Sequence, residues 1–438
     1  MNEGVNQFLS IHQLDIGDYV HVVWKGLSLD GMVLPPVPGH LDTLHLKLRS
    51  GYNTAVLLEH ISTVSKMQHP IKRKRETPMV KPEIPDILER PCLSLVTTGG
   101  TIVAKVDYKS AGTSASMTPE ELLAGIPDIA KYANICSIIT PFSKLSENIV
   151  PDDWMKLAKI CFDELSKEDI HGVILSHGTD TLHYTSAALS FMIRNISKPL
   201  VIVGSQRSSD RGSSDAPFNL LCATHMALSD VAEVGVCMHG TTSDDYGLFL
   251  RGTKVRKMHT SRRDTFRPIN TMPIAKVTPD GKIDFLSEYN RRSEEKMELD
   301  AIFEKNIALI KVYPGMQGDI FHFYDQKGCK GYILEGTGLG HVNPVVYPFI
   351  KKITDKGIPF FMASQALYGR VNMNVYSTGR QLQEIGVVGL EDMLPETAYV
   401  KLGWILAHTQ NAGEVKKMML TPIAGEIEES TRVDSFLN

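Results

Sequence analysis

The chain has 438 residues, of which 42% are hydrophobic and 22% charged, and its formal net charge is −4. These values are ordinary for a globular protein, and they argue against both a disordered chain and a strongly basic nucleic-acid-binding protein. The length predicts roughly two to four domains, with cores large enough to fold without disulfide staples.

The start of the chain and its cysteines favour a cytoplasmic protein. Residues 1–15 lack the basic and apolar regions of a signal peptide, and no apolar stretch approaches about 18 residues, so no membrane span is expected. The six cysteines form no Cys-x-x-Cys pair, which argues against zinc ribbons and redox motifs. They lie mostly in apolar runs, so we expect reduced, buried thiols.

Residues 1–70 have the pattern of a small β domain. Residues 16–24 are rich in β-branched and aromatic side chains. Two apolar runs, 45–48 and 54–58, are separated by Ser50-Gly51, which predicts a hairpin. Short strands at this spacing predict a small SH3-like β-barrel domain.

Residues 71–92 are a predicted linker. Residues 65–92 contain five prolines and the basic run Lys-Arg-Lys-Arg at 72–75. Such composition is typical of an extended, solvated connection between domains. Contact of the basic run with RNA is the alternative that the sequence leaves open.

The rest of the chain alternates strand-like and helical runs, which predicts α/β units with parallel sheets covered by helices. The first unit spans 93–285. A highly charged connector follows at 286–306, and the second unit spans 307–438. The strand-like runs lie at 93–96, 172–175, 200–203, 234–237, 307–310, 331–334 and 359–362, and the helical runs begin near 151, 182, 217, 345, 396 and 413.

Two of the strand-like runs end in similar turns. The sequence Thr-Thr-Gly-Gly-Thr-Ile at 97–102 follows the first run, and Ser-His-Gly-Thr-Asp-Thr at 176–181 follows the second. Ligands of open parallel sheets bind outside the carboxyl ends of the strands, so Thr101 and Thr179 should lie at the same edge. A threonine hydroxyl activated by a base can act as a nucleophile, and glycines allow close approach of backbone N–H groups. These are the parts of an acyl-transfer site.

A third segment, residues 251–260, is basic and could supply a lysine to this edge. A lysine beside Thr179 and Asp180 would form a Thr-Asp-Lys relay, in which the carboxylate orients the amine. Each piece alone has a plain structural alternative: a tight turn at 98–101, a core histidine at His177, and a solvated face at 254–257. Their joint occurrence favours the catalytic interpretation.

Together these motifs resemble the L-asparaginase/glutaminase amidohydrolase family over residues 93 to about 420. The resemblance implies an asparaginase-like two-domain α/β body, here preceded by the small β-barrel domain. It implies that Thr101 forms the acyl-enzyme and that Thr179, Asp180 and Lys257 form the second catalytic group, and it leaves open whether the two threonines exchange these roles. Substrate-binding roles follow for Tyr108, Ser146 and the turn glycines Gly100 and Gly178.

The chemistry implied by this resemblance is release of ammonia from a side-chain carboxamide through an ester intermediate. Backbone N–H groups of the glycine-rich turns would stabilise the oxyanion, by about 3 kcal/mol per donor. We expect no metal and no cofactor in this chain, because no His-Glu-x-x-His motif or zinc-ligand spacing occurs.

Two differences from free-standing asparaginases indicate a particular group within this family. About ninety residues precede the first motif, and residues 336–341 read Gly-Thr-Gly-Leu-Gly-His without asparagine. With residues 258–264, these features look like the amidohydrolase subunits of archaeal glutamyl-tRNA(Gln) amidotransferases. That implies a homodimer joined to a partner amidotransferase subunit, the E subunit, in a heterotetramer.

In such a complex the partner would hold ATP and Mg and bind most of the tRNA, which fits the weakly acidic charge of this chain. The ammonia would convert Glu-tRNA(Gln) to Gln-tRNA(Gln). A stand-alone cytosolic L-asparaginase and a non-catalytic asparaginase-like scaffold are the alternatives. The sequence does not rank glutamine over asparagine, since one methylene changes binding by only about 1–3 kcal/mol.

Overall fold

The protein is described by a computed structural model that covers residues 3–36, 42–48, 53–67, 90–99, 104–106, 113–115, 123, 126–207 and 213–436. Gly100, Thr101 and Tyr108 lie outside these residues, as does the basic run at 72–75.

The N-terminal unit is a five-stranded antiparallel sheet with one helix. Its pairing order is β4-β3-β2-β1-β5. The elements are α1 (Glu3–Ile11), β1 (Tyr19–Trp24), β2 (Leu27–Val33), β3 (Thr43–Leu48), β4 (Asn53–Leu57) and β5 (Ile61–Lys66).

Helix α1 was not predicted, and it completes the small core of this unit. Val5 and Leu9 are buried in one cluster with Val20, Val22 and Leu44 of the strands. The helix covers the apolar face that the alternating strands create, which a lone sheet could not bury. Among the described residues the pairing order does not close into a ring, so closure of the predicted barrel stays a prediction.

The first α/β unit contains an eight-stranded sheet with the order β18-β17-β14-β13-β12-β10-β6-β9. Its helices are α2 (Pro151–Leu165), α3 (Leu182–Met192) and α4 (Ala216–Leu228). The strands of this region are β6 (Cys92–Thr97), β7 (Ala104–Val106), β8 (Thr113–Ala115), β9 (Asn134–Ile139), β10 (Ile170–Ser176), β11 (Ile193–Arg194), β12 (Leu200–Val203), β13 (Val234–His239), β14 (Gly247–Arg251), β15 (Val255–Lys257), β16 (Phe266–Pro268), β17 (Ala275–Val277), β18 (Ile283–Phe285) and β19 (Glu298–Leu299).

The five strands from β9 to β13 in this order are parallel, as predicted. They are followed by three antiparallel strands, β14, β17 and β18, which the sequence pattern did not predict. The parallel strands β12 and β13 are buried along their whole length, as expected when helices cover both faces of a sheet.

The second α/β unit has a four-stranded parallel sheet with the order β20-β21-β22-β23. Its elements are β20 (Ile307–Lys311), α5 (Asp319–Gln326), β21 (Gly331–Gly336), α6 (Tyr347–Thr354), β22 (Phe360–Ser364), α7 (Ser377–Glu384), β23 (Val387–Gly389), α8 (Pro395–Leu406) and α9 (Ala412–Leu420). The predicted strands and the helices near 345, 396 and 413 are confirmed.

The largest buried cluster joins the two α/β units. It combines Leu93 and Leu175 of the first sheet with Phe361 of the second and with Leu402 of α8. Because the two α/β units share this core, the predicted boundaries between them stay a prediction.

Among the described residues, no helix has both the length and the apolar character needed to span a bilayer.

Two of the six cysteines are bonded to each other, contrary to the expectation of reduced thiols. Cys92 on β6 and Cys136 on the neighbouring strand β9 form a disulfide, whereas Cys161, Cys222, Cys237 and Cys329 are free and buried. The two bonded residues lie on adjacent strands with Cα atoms 5.5 Å apart, within the usual range for a bridge. The expectation of reduced thiols was therefore wrong for this pair, because sequence spacing does not reveal which strands become neighbours.

The disulfide predicts a thiol count and a stability change. Denatured without reductant, the protein should give four titratable thiols of its six cysteines. Cys136→Ser should lower the free energy of unfolding by about 2–4 kcal/mol, because the cross-link restricts the unfolded chain. Denaturant unfolding with and without dithiothreitol measures this, and the variant should no longer respond to the reductant. A count of six thiols would contradict the bridge.

Candidate functional site

The two motif turns lie side by side because their strands are paired in register. Thr97 at the end of β6 aligns with Ser176 at the end of β10, and Ser176 aligns with Val203 of β12. Beyond the strands, both the backbone N–H and the Oγ1 of Thr98 donate to the carbonyl of Ser176, at 3.1 and 3.0 Å. The carboxyl ends of three parallel strands thus converge at one edge of the sheet. The sequence predicted this for two of them, β6 and β10.

At this edge the structure brings together three of the predicted catalytic residues. The Nζ of Lys257 donates to the Oγ1 of Thr179 at 2.9 Å and to the Oδ1 of Asp180 at 2.7 Å. Lys257 comes from β15, 77 residues after Asp180 in the chain. The arrangement is the predicted Thr-Asp-Lys relay: a hydroxyl held by an amine that a carboxylate orients.

The three side chains differ in their access to solvent. Thr179 is buried and the Lys257 side chain is 10% exposed, whereas the Asp180 side chain is 67% exposed. An ion pair with one partner in water adds little to stability, so this pair does not hold the fold together. What the ion pair does is orient the Lys257 amine toward the Thr179 hydroxyl.

Gly178 and Ser146 are packed tightly against each other beside the relay. A Cβ atom at Gly178 would lie 2.8 Å from the Cβ of Ser146 and 3.0 Å from its Oγ. Ser146 is buried, and its carbonyl accepts a hydrogen bond from the Oγ1 of Thr181 at 2.6 Å. The predicted substrate-binding residues Ser146 and Gly178 therefore adjoin Thr179, and only glycine fits at 178.

A second glycine, Gly204, was not singled out as a site residue. A Cβ atom there would lie 2.8 Å from the carbonyl oxygen of His177 and 2.9 Å from the Cγ2 of Thr179. Its own carbonyl accepts from the Nδ2 of Asn219 on α4 at 3.0 Å. The turn after β12 thus forms one wall against Thr179. Its signal in the sequence was the glycine directly after the strand at 200–203.

The turn after β6 is shaped by Gly99, whose φ of +99° favours glycine. A Cβ atom at this position would lie 2.8 Å from the backbone N and O of Lys144. The backbone N–H of Lys144 also donates to the carbonyl of Thr98 at 2.9 Å. These contacts fix the positions of Thr98 and Gly99. The roles of Gly100, Thr101 and Tyr108 stay predictions.

His177 is a buried core residue, which was the structural alternative to a catalytic role for this histidine. Its Nδ1 hydrogen-bonds the carbonyl of Gly178 at 2.7 Å, and its Nε2 hydrogen-bonds the Oγ1 of Thr185 at 2.8 Å. Trp154 also donates to the Thr185 hydroxyl, at 3.1 Å. Burial lowers the pKa of His177 to about 4, so the neutral ring holds the 176–181 turn in place.

The basic segment 254–257 is not a solvated face. The side chain of Lys254 is fully buried and its Nζ lies 2.5 Å from the Oδ2 of Asp392. Arg256 pairs with the buried carboxylate of Glu396, also at 2.5 Å. Neither acidic partner was predicted, because nothing in the sequence connects residues about 140 positions apart.

Across the described residues, no group of three or more His, Cys, Asp or Glu side chains could hold a metal ion. The polar groups gathered at the site are instead hydroxyls, one carboxylate, one amine and backbone amides. This set suits general acid–base and nucleophilic chemistry on a carbonyl carbon.

Two family models match the chain. The model described as "Asparaginase, N-terminal" matches residues 92–291, and "Glutaminase/Asparaginase C-terminal domain" matches residues 306–419. The N-terminal sheet β1–β5 lies outside both matches.

Curated relatives match the whole length. A protein of Thermococcus kodakarensis that is named as the D subunit of glutamyl-tRNA(Gln) amidotransferase is 49% identical, with 100% of each chain covered. A protein of the same name from Pyrococcus furiosus is 48% identical, with 99% of each chain covered.

Solved structures match the body of the chain. The thermostable L-asparaginase from Thermococcus kodakarensis superposes with a TM-score of 0.68 at 30% identity, covering 77% of this chain and 100% of its own. L-asparaginase I from Vibrio cholerae O1 gives a TM-score of 0.68 at 27% identity, covering 77% and 99%. The resemblance to this family and the α/β fold are confirmed.

The buried histidine predicts a pH dependence of stability. Below the unfolded-state pKa of about 6.5, the unfolded chain binds a proton at His177 that the folded protein excludes until about pH 4. The free energy of unfolding should therefore fall as the pH is lowered through this window. His177→Gln should reduce that slope by up to about 1.4 kcal/mol per pH unit, which is the value for a difference of one bound proton.

Urea unfolding at several pH values between 4.5 and 7 measures this slope. The control is His171→Gln, which changes an exposed histidine on the same strand, β10, and should keep the wild-type slope. Equal slopes for wild type and His177→Gln would contradict the assignment of His177 as a buried neutral ring.

Proposed function

The chain belongs to the glutaminase/asparaginase family and, within it, to the group of glutamyl-tRNA(Gln) amidotransferase D subunits, and from this premise we propose that it releases ammonia from glutamine or asparagine for transfer to a tRNA-bound substrate. The observation that carries the proposal is the relay, in which the Lys257 amine contacts both the Thr179 hydroxyl and the Asp180 carboxylate, at 2.9 and 2.7 Å.

The reaction requires a nucleophile, a proton carrier and a stabilised oxyanion. In the proposed sequence, a threonine hydroxyl attacks the carboxamide carbon and the C–N bond breaks. The hydroxyl proton leaves with ammonia, and an ester remains on the enzyme. Water then cleaves the ester to release the acid. Thr101 is the proposed nucleophile of the first step, as the family resemblance implies.

Thr179, Asp180 and Lys257 are proposed to move the proton. Asp180 orients the amine of Lys257, and Lys257 in turn contacts the Thr179 oxygen. This is the arrangement by which a base activates a weak hydroxyl nucleophile. Gly100 and Gly178 are proposed to supply backbone N–H groups to the oxyanion, and Ser146 and Tyr108 to bind the substrate.

The proposed setting is a complex in the cytoplasm. We propose a homodimer of this chain bound to the partner amidotransferase subunit in a heterotetramer, with ATP, Mg and most of the tRNA on the partner. A net charge of −4 supports this division, because phosphate contacts require a basic surface. The full-length match to D subunits, which includes the N-terminal sheet, favours this setting over a stand-alone L-asparaginase.

The proposal predicts ammonia release from glutamine that increases when the co-expressed partner and Glu-tRNA(Gln) are present. Thr101→Ala and Thr179→Ala should each abolish most of this release, because each removes a hydroxyl of the proposed reaction path. The matched control is Thr431→Ala, at an exposed threonine near the C-terminus that should keep wild-type rates. Full activity without the partner would favour a stand-alone asparaginase, and no activity under any condition would favour the scaffold.

A lysine substitution tests the relay separately. Lys257→Met removes the amine but retains much of the volume, and should lower kcat by about 10²–10⁴, as for loss of a general base. The control is Lys282→Met, since Lys282 forms an exposed ion pair with Asp284 at 3.1 Å. Steady-state ammonia release by the full complex measures both variants. An unchanged rate for Lys257→Met would contradict the role given to the relay.

A further inference from the structure

The strand that carries Lys257 has little support of its own. β15 has three residues, and its described pairing is with the three residues of β16. A two-stranded sheet of this size is marginal in water without packing against other elements. The Lys257–Asp180 pair cannot fix it either, since Asp180 is two-thirds exposed. The position of the amine must therefore be set by other contacts of this strand.

The second α/β unit supplies several of those contacts. Just before β15, Thr253 donates from Oγ1 to the carbonyl of Ala424 at 2.9 Å, and its own carbonyl accepts from the Oγ1 of Thr397 at 2.8 Å. Lys254 then forms its fully buried ion pair with Asp392. The residues that lead into the strand are thus fixed to the segment 392–397 and to the C-terminal segment.

Within the strand, the contact next to Lys257 is the ion pair of Arg256 with Glu396. The two side chains are 27% and 6% exposed, and the Arg256 Nη1 lies 2.5 Å from the Glu396 Oε1. Successive side chains of a strand point to opposite sides. Arg256 therefore reaches the second unit while Lys257 reaches Thr179.

Glu396 is a buried residue of α8. It lies in the first turn of α8, where the helix dipole favours a carboxylate. Its second oxygen, Oε2, is buried and has no hydrogen-bond partner in the described part of the chain. Arg256 is the cation in contact with this buried carboxylate, and loss of either partner would leave an uncompensated buried charge.

Helix α8 also contacts the other side of the relay. Tyr399 of α8 lies edge-on to Tyr184 of α3, with ring centroids 6.4 Å apart. Helix α3 begins at Leu182, three residues after Thr179. One helix therefore touches both the strand that carries Lys257 and the helix that follows Thr179.

We infer that Glu396 is a positioning residue of the reaction: through its ion pair with Arg256, it sets the distance between the Lys257 amine and the Thr179 hydroxyl. The second α/β unit thereby controls the geometry of a relay whose members all belong to the first. Glu396 acts through Arg256 and does not itself belong to the relay. This inference rests on the proposed function, because it concerns the rate of the same ammonia-releasing step.

The test is Glu396→Gln in the full chain, assayed for ammonia release from glutamine with the co-expressed partner and Glu-tRNA(Gln). The substitution keeps the shape of the side chain and removes the charge that holds Arg256. We expect kcat to fall about 10- to 100-fold, because a displacement of about 1 Å in a catalytic group has an effect of this size. KM for glutamine should change less than about threefold, since the lost interaction does not bind substrate.

The matched control is Glu233→Gln. Glu233 is also buried and pairs with an arginine, Arg251, at 2.9 and 3.1 Å, but it precedes β13 at the opposite end of the sheet. Both variants should lower the melting temperature, whereas only Glu396→Gln should lower kcat. If Glu396→Gln does not fold, Arg256→Gln removes the same contact from the more exposed side and should give the same kcat loss.

The outcomes separate the inference from the proposed function. If the wild-type complex releases ammonia but Glu396→Gln has an unchanged kcat, only the inference is overturned. The same holds if Glu233→Gln loses as much kcat as Glu396→Gln. A fall in glutamine affinity without a fall in kcat would also overturn it. Absence of ammonia from the wild-type complex would overturn the proposed function, and the inference with it.

Discussion

The parallel register of β6, β10 and β12 is the constraint on which the site depends. Because Thr97, Ser176 and Val203 align, the turns that follow them emerge at one edge of the sheet. A shift by one residue would reverse the direction of every side chain in a strand, which the covered faces of this sheet forbid. The burial of the strands thus specifies, far from the chemistry, which polar residues meet at the edge.

Register alone does not complete the site, because Lys257 comes from a different sheet. The buried cluster that unites Leu93, Phe361 and Leu402 shows that the two α/β units share one core. Two ion pairs cross this boundary, Lys254–Asp392 and Arg256–Glu396, and removing one partner of either would leave a buried charge unpaired. They favour one relative arrangement of the units, and the strand that carries Lys257 is held within it.

The sequence predicted those structural features that depend on the pattern of neighbouring residues. Continuous apolar runs predicted β6, β10, β12 and β13, and the helical run that begins near 151 predicted α2. The Gly-Thr turns predicted which strand ends would carry the site. The sequence did not predict α1, the antiparallel strands β14, β17 and β18, or the disulfide Cys92–Cys136. Helix α1 has a local signal that was missed, since Val5 and Leu9 recur at helical spacing and are both buried. The antiparallel strands and the disulfide depend on which elements become neighbours, which neither periodicity nor composition encodes.

The site residues also divide into those that local sequence could predict and those that depend on distant contacts. Thr179 and Asp180 could be predicted because they adjoin one another in a motif. Lys257 required the family resemblance, and Glu396 had no signal at all, since its partner Arg256 is 140 residues away. A relay that faces solvent at Asp180 gains little from its own ion pair. Its geometry must therefore be maintained by buried contacts around it. On the side of Lys257, the ion pairs among those contacts reach into the unit that carries none of the relay residues.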